Sequence, residues 1–460
     1  MTPVASTRAS GAAAPAIAAL NARLDRLPRW GLPAAGKAVF AAAYFFAFYD
    51  IIALGAVLPA FTGHFHLSDS ASAVPLTASL GGYIVGAYAF GGLADAIGRR
   101  RTLRLVLVLL ALASLASACA WDLTSFAVLR FVAGMGIGAQ ITLSATLITE
   151  LSPSAQRGRN IQRMIIWAGV GDAVAPFIAL GLLDLGAIGW RLVIGVGVLA
   201  LIPALMIRQL PESPRWSAVH GDEAAAEAAL TAMEHRLTAG GLTLPPPVEV
   251  PAEPQTSGFP LRDLLRPPYR GRLLVVTSFW VVTYIGIYGF LGYETVLLDK
   301  LSLHEPNGLL YTALGDIAFP LGAALPLLLL GRMPRKYLLG ASGVIFALGL
   351  VVLATSTGPV SVVVGAFLVA LVLLVTSGVG YIYTSEIFPT RARASAMGVA
   401  DGIGHLGGIA APYVVLSALT AWGPRGAFWL MAALMALGAL IIAGLGLRST
   451  DGHLTELTTD

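Results

Sequence analysis

Six ionisable residues inside long apolar runs of this 460-residue chain are candidates for chemistry: Asp50, Arg130, Asp172, Asp316, Asp401 and His405. A charged side chain at the centre of a bilayer costs roughly 2.5–3.5 kcal/mol on insertion scales, so each one needs a reason to be there. Carboxylates and a histidine in such a setting suit the binding and release of protons, or the holding of a charged solute. Asp401 and His405 are four residues apart and share a helix face. Trp280, Tyr284 and Tyr288 recur at four-residue steps, which stacks three rings along one side of another helix. Other chemistries are absent from the sequence. No metal-ligand cluster and no phosphate-binding G-x-x-x-x-G-K-[ST] loop occurs, which argues against an enzyme or an ATP-driven pump. The single cysteine, Cys119, excludes an internal disulfide.

The elements that must position these groups follow from composition. The chain is 57% hydrophobic and 12% charged, against about 25% charged residues in ordinary soluble proteins. A large water-soluble enzyme is therefore excluded. A spanning helix takes ~20 mostly apolar residues. Twelve runs qualify, at 38–62, 72–97, 102–120, 124–151, 160–184, 190–210, 271–298, 307–331, 336–357, 360–386, 393–421 and 424–447. They are continuously apolar and not alternating, which argues against a β-barrel.

Charge sets the expected orientation. Of 29 Lys and Arg, 25 fall on one side of the runs, Arg191, Lys300 and Arg425 fall on the other, and Arg130 lies within a run. The positive-inside rule then puts both termini and the 211–270 loop in the cytoplasm. The expected organisation is a tail at 1–37, a six-helix bundle at 38–210, a loop at 211–270, a second bundle at 271–447 and a tail at 448–460. Residues 1–37 read as a retained tail, with an amphipathic helix over 16–27 on the membrane surface. Residues 221–237, rich in Ala and Glu, read as short surface helices, followed by a linker with Pro245, Pro246, Pro247, Pro251 and Pro254.

The two bundles repeat at an offset of 236. Glu150, Pro153 and Arg157 end the fourth run; Glu386, Pro389 and Arg393 end the tenth, and Pro176 maps onto Pro412. Duplicated six-helix halves mark transporters whose substrate site lies between the repeats. The paired Glu and Arg residues read as a charge network that holds the halves together when the outer side is open.

Two further motifs make the resemblance specific. Gly91-Gly92-Leu93-Ala94-Asp95-Ala96-Ile97-Gly98-Arg99-Arg100-Arg101 resembles the basic-turn signature of the major facilitator superfamily. Pro211-Glu212-Ser213-Pro214-Arg215 resembles the P-E-S-P-R motif of sugar porters and their organic-ion and metabolite-symporter relatives. The second-half turn, Gly331-Arg332-Met333-Pro334-Arg335-Lys336, lacks the Asp. The resemblance covers about 38–447. It implies an all-α membrane protein with twelve transmembrane helices in two pseudo-symmetric six-helix bundles.

The same resemblance implies roles. Proton-driven sugar porters set an Asp of the first helix against an Arg of the fourth, as Asp50 and Arg130 stand here. Separating such a pair lets the Asp take a proton. Trp167, Trp280, Tyr284, Tyr288, Tyr381, Asp401 and His405 fall on helices that line the family cavity, and suggest an aromatic box for a flat ring. Asp95, Arg99, Arg100, Glu150, Arg157, Glu212, Arg215, Glu386 and Arg393 make up the expected charge network. Sugar porters carry glutamines in the fifth and seventh helices. Here the fifth has Ile165 and the seventh reads Thr277-Ser278-Phe279-Trp280, so sugars are disfavoured.

The expectation is a proton-coupled symporter of a small aromatic or heteroaromatic carboxylate such as nicotinate. It would work as a monomer in a bacterial inner membrane, with the proton gradient as energy source, no cofactor or metal, and no nucleic-acid partner. An organic-cation or drug antiporter stays open, as does a receptor or sensor on the same fold. The 211–270 loop is too short and proline-broken for a signalling domain, which counts against the latter.

Overall fold

The computed structural model describes residues 16–248, 261–301, 307–330 and 332–448, without the side chains of Asp69, Thr390, Arg391 and Ala394. Pro251 and Pro254 of the linker and Gly331 of the second basic turn lie outside the described residues. Among the described residues the chain is helical, and its one extended pairing is an isolated bridge between Leu330 and Met333.

The first bundle comprises α1 (Ala34–His64), α2 (Ala73–Ile97), α3 (Arg99–Ala118), α4 (Leu123–Glu150), α5 (Arg157–Leu183) and α6 (Gly186–Gln209). In α6, α-helical and 3-10 turns alternate. The second comprises α7 (Tyr269–Asp299), α8 (Gly308–Leu329), α9 (Arg335–Thr355), α10 (Pro359–Glu386) and the run Thr390–Leu445. That run has 56 residues. At 1.5 Å per residue it would be about 84 Å long, more than twice the ~30 Å hydrocarbon core. It folds back at Gly423, whose φ of 72° a residue with a side chain adopts only under strain. The limbs 390–422 and 424–445 are α11 and α12, so eleven long apolar helical runs supply twelve spans.

Packing follows the repeat. α2 lies against α4 at Gly86, where a Cβ would meet the Met135 carbonyl oxygen at 2.1 Å. At the same offset of 236, α8 lies against α10 at Gly322, where a Cβ would meet the Leu371 carbonyl oxygen at 2.0 Å. Small residues let transmembrane backbones approach this closely. At the end of the bundle far from the termini, Arg191 donates to the Ala118 and Ala120 carbonyls after α3, and Arg425 donates to the Ser356 carbonyl after α9. Both cations sit where the negative end of a helix needs one.

Three seams join the bundles: α1 on α7, α2 on α11 and α5 on α8. At the far end the Ser72 and Tyr293 hydroxyls are 3.1 Å apart, and Gly55 of α1 lies against the Leu291 carbonyl of α7.

The N-terminal segment folds onto protein. A helix over 16–25 buries Leu20 and Leu24 against Leu230, Met233 and Leu237 of the loop helix Glu223–Ala239. The apolar face expected to lie on the membrane is thus covered by the 211–270 loop. Arg23 pairs with Glu227 and Glu234, and Arg26 pairs with Glu234. Burial works against ionising Glu234, but hydrogen bonds from Arg23 and Arg26 outweigh it and hold the carboxyl below its ordinary range. Trp30 donates to the Leu151 carbonyl, which ties this cap to the end of α4.

Candidate functional site

Asp50 occupies the middle of α1 and is 2% exposed; Arg130 of α4 is fully buried. An Arg130 Nη is 2.8 Å from Asp50 Oδ2. The Ser114 hydroxyl of α3 donates to Asp50 Oδ1 at 2.7 Å, and Arg130 Nε and its other Nη donate to the Ser117 hydroxyl. Both charges are therefore paired and hydrogen-bonded, the condition under which buried charges are tolerated. Ser114 and Ser117 were not anticipated from sequence, because serines are common in spans and three residues apart reveal nothing alone.

Asp50 borders a cavity of about 50 Å³ between the bundles, which Ser79 and Tyr83 of α2 and Tyr288 of α7 also line. Tyr83 carries the site across the seam. Its ring stacks on His405 of α11 at 4.7 Å between centroids and 17° between planes.

Around His405 lies a polar aromatic cluster. The Tyr284 and Tyr381 hydroxyls both donate to Asp401 Oδ1, at 2.9 and 2.7 Å. Trp280 packs on Tyr284 and Tyr381 with centroids 4.8 and 4.9 Å away, and its indole N–H donates to the Thr384 hydroxyl. His405 Nδ1 is 2.9 Å from the Asp401 carbonyl oxygen and 3.3 Å from Oδ1, so it faces acceptors and carries a hydrogen. Its Nε2 is 3.1 Å from the Tyr288 hydroxyl, which can either donate to it or accept from it.

Of the seven residues expected to contact substrate, six are brought together. Trp167 is not: it stands 47% exposed with Arg163 and Phe177 on the outward stripe of α5. Tyr83 was missed, having no charged or periodic neighbour in sequence to mark it.

The charge network differs in its pairing. Glu150 is 3.3 Å from Arg99, which also holds Asp95 at 2.9 Å. Arg157 donates to the Ser152 carbonyl and Arg393 to the Ser385 carbonyl. Glu386 pairs with Arg335 at 3.2 Å. Arg335 is Arg99 displaced by 236, so the repeated unit is a Glu with the first Arg of a neighbouring helix. Each such pair lies within one bundle. Glu212 accepts from the Arg100 backbone N–H beside Gly98, Arg100 donates to the Leu210 carbonyl, and Arg215 donates to Asn21. The lost Asp of the second turn leaves that pairing intact.

Comparisons with known proteins agree with this architecture. The profile of the sugar (and other) transporter family matches residues 37–454. The chain is 32% identical over 391 residues to the putative metabolite transport protein YyaJ of Bacillus subtilis, covering 84% of this chain and 86% of that one. It is 28% identical over 377 residues to the niacin transporter NiaP of Acinetobacter baylyi, covering 82% and 84%. Among solved structures it resembles the inward open conformation of the xylose transporter XylE from E. coli, with a TM-score of 0.73 and 19% identity over 92% of this chain and 98% of that one. The fold is that of the major facilitator superfamily, and the chain belongs to the sugar (and other) transporter family of membrane transporters.

Proposed function

We propose that the protein is a proton-coupled symporter that moves a small aromatic or heteroaromatic carboxylate by alternating access between the two bundles. The observation that carries this reading is the position of the Asp50–Arg130 pair beside a cavity that continues, through Tyr83 and Tyr288, to the rings around His405. Asp50 is the proton carrier and Arg130 its counter-charge. Rocking of the bundles alters the cavity wall next to Asp50, so the carboxylate meets water and substrate in turn. Trp280, Tyr284, Tyr288 and Tyr381 offer faces to a flat ring, and Tyr288, whose hydroxyl is not committed to Asp401, offers a hydroxyl hydrogen to its carboxylate. NiaP, a niacin transporter by name, supports a heteroaromatic acid. The distribution of Lys and Arg supports a topology with both termini in the cytoplasm.

One observation favours a second reading. Asp401 is a partly exposed carboxylate, 29% accessible, among aromatic faces, an arrangement that also fits an organic cation. Thermal shifts of the purified protein decide between them. Ligand that binds the native state raises its stability by RT ln(1 + [L]/Kd), about 2.7 kcal/mol at 100 times Kd. Nicotinate and benzoate are expected to stabilise the protein, and Trp280→Ala to weaken that binding ~2- to 10-fold, the worth of one aromatic contact. Stabilisation by quaternary amines in place of carboxylates would overturn the acid reading.

A further inference from the structure

Three buried carboxyl groups remain outside the site described above. Asp172 of α5 is 3% exposed, Asp316 of α8 is fully buried and Glu294 of α7 is 4% exposed. Asp316 interacts electrostatically with both of the others. Among the described residues neither oxygen of Asp316 has a hydrogen-bond partner, and Glu294 Oε1 has none. No ion pair joins any of the three to a Lys, Arg or His among the described residues. Among the described residues no three or more His, Cys, Asp or Glu side chains converge as metal ligands.

The seam itself explains why they meet. Gly169 of α5 lies against the Phe319–Pro320 backbone of α8, where a Cβ would come within 2.8 Å. The helices run antiparallel, so three residues onward in α5 and three or four back in α8 bring Asp172 level with Asp316. Both sit in the same local sequence, Gly171-Asp172-x-x-x-Pro176 and Gly315-Asp316-x-x-x-Pro320. Pro320 has no N–H to give the Asp316 carbonyl, so one bond of the α8 ladder is missing there, while Ile317 keeps helical dihedrals.

Unpaired buried carboxylates are too costly to persist; such groups neutralise themselves by holding protons, and neighbouring acids share them. We propose that Asp172, Asp316 and Glu294 form a second proton-coupling site, closed between the bundles here and distinct from Asp50. This extends the reading of the protein as a proton symporter. Asp172 moves with the first bundle, Asp316 and Glu294 with the second. When α5 and α8 part, one carboxylic acid gives its proton to water and becomes a carboxylate; when they meet again it takes one up. The Thr295–Thr312 hydroxyl pair, 3.2 Å apart, covers the site towards the far end, and Gln162, donating to the Ala323 carbonyl, covers it towards the termini. Other titratable groups on the packed helices include Tyr49 and Asp50 of α1, Tyr293 and Asp299 of α7 and Tyr311 of α8, while the arginines of α5 and α7 lie at their ends near the termini. Asp50 is held by Arg130, and Tyr49 donates to the Val193 carbonyl. α10 presents Ala366 to Gly315 and no charge.

Two measurements test it. Infrared difference spectra of the purified full chain between pH 6 and pH 9 should contain a buried carboxylic C=O band, which Asp316→Asn removes and Asp50→Asn leaves. That readout needs no substrate and stands even if Asp50 is not the coupling residue. In proteoliposomes, Asp316→Asn should move one fewer positive charge per substrate than wild type, whatever the charge of the substrate. If it fails to fold, Glu294→Gln or Asp172→Asn replaces it with the same expectation. A band unchanged in all three variants, or an unchanged charge per substrate, would overturn the proposal.

Discussion

Replacing Asp50 by Asn tests coupling most directly. The carboxylate accepts a 2.8 Å bond from Arg130 and a 2.7 Å bond from Ser114. Asn has one carbonyl oxygen and so accepts only one of these well, its amide facing a donor at the other. Removing one partner of a buried pair typically costs about 3–5 kcal/mol. Arg130 keeps its two bonds to Ser117, so the expected loss of stability is near the lower figure. Asp50→Asn with Arg130→Gln removes both charges and should recover much of that loss. Coupling is read separately. One pH unit is worth 1.36 kcal/mol per proton, a factor of ten in accumulation. In proteoliposomes with a one-unit gradient, the variant's accumulation ratio should fall tenfold, while exchange of internal for external substrate continues. A variant that concentrates substrate as far as wild type would refute the role of Asp50, whatever its stability.

Two further outcomes follow from the packing and the cap. A Cβ at Gly55 would sit 2.4 Å from the Leu291 carbonyl oxygen, so Gly55→Ala forces α1 and α7 apart by about 1 Å, given ordinary carbon contacts near 3.5 Å. Spin-label distances across the far end, in a background with Cys119 replaced, should shift towards the open population; an unchanged distribution would remove this contact from the closing seam. In the cap, Glu234 has its carboxyl held below the ordinary value of 4.5, so its contribution is present above pH 4.5 and is lost as pH falls through the folded value. Protection of the amides over residues 16–32, taken relative to their intrinsic exchange rates at each pH, should therefore fall in acid. Glu234→Gln should exchange roughly fivefold faster at pH 7, about 1 kcal/mol after solvent screening, and equal rates at pH 7 would deny the pair any role.

The number of spans was legible because apolar run length is a direct physical requirement of the bilayer. The merged run Thr390–Leu445 shows why: its turn is one glycine wide, yet Gly423 and Pro424 mark it in sequence. Partners across the fold were less legible. The spacing of Glu150 and Arg157 suggests a local pair, but Pro153 and a 3-10 turn carry Arg157 onto the start of α5. Trp167 stands apart from the cluster for an angular reason. Membership of the right helix says nothing about which side faces the cavity, and residues 163, 167 and 177 form an exposed stripe.

The repeat supplies the rule that separates scaffold from chemistry. Contacts that build the fold occur twice at an offset of 236: Arg99 with Glu150 and Arg335 with Glu386, Gly86 on Met135 and Gly322 on Leu371. The intramembrane charges do the reverse. Asp50 maps onto Gly286, Arg130 onto Ala366, Asp401 onto Ile165 and His405 onto Gly169; Asp172 maps onto Gly408 and Asp316 onto Leu80. A packing contact must satisfy the same geometry in both bundles, so duplication preserves it. A proton or a substrate needs one set of groups between the bundles, and a second copy would place another costly charge in the bilayer with nothing to hold. Glu294, which maps onto Leu58, obeys the same rule and sits beside Asp316. A charge within a span that breaks the repeat therefore points to function, whereas one that keeps it points to the frame.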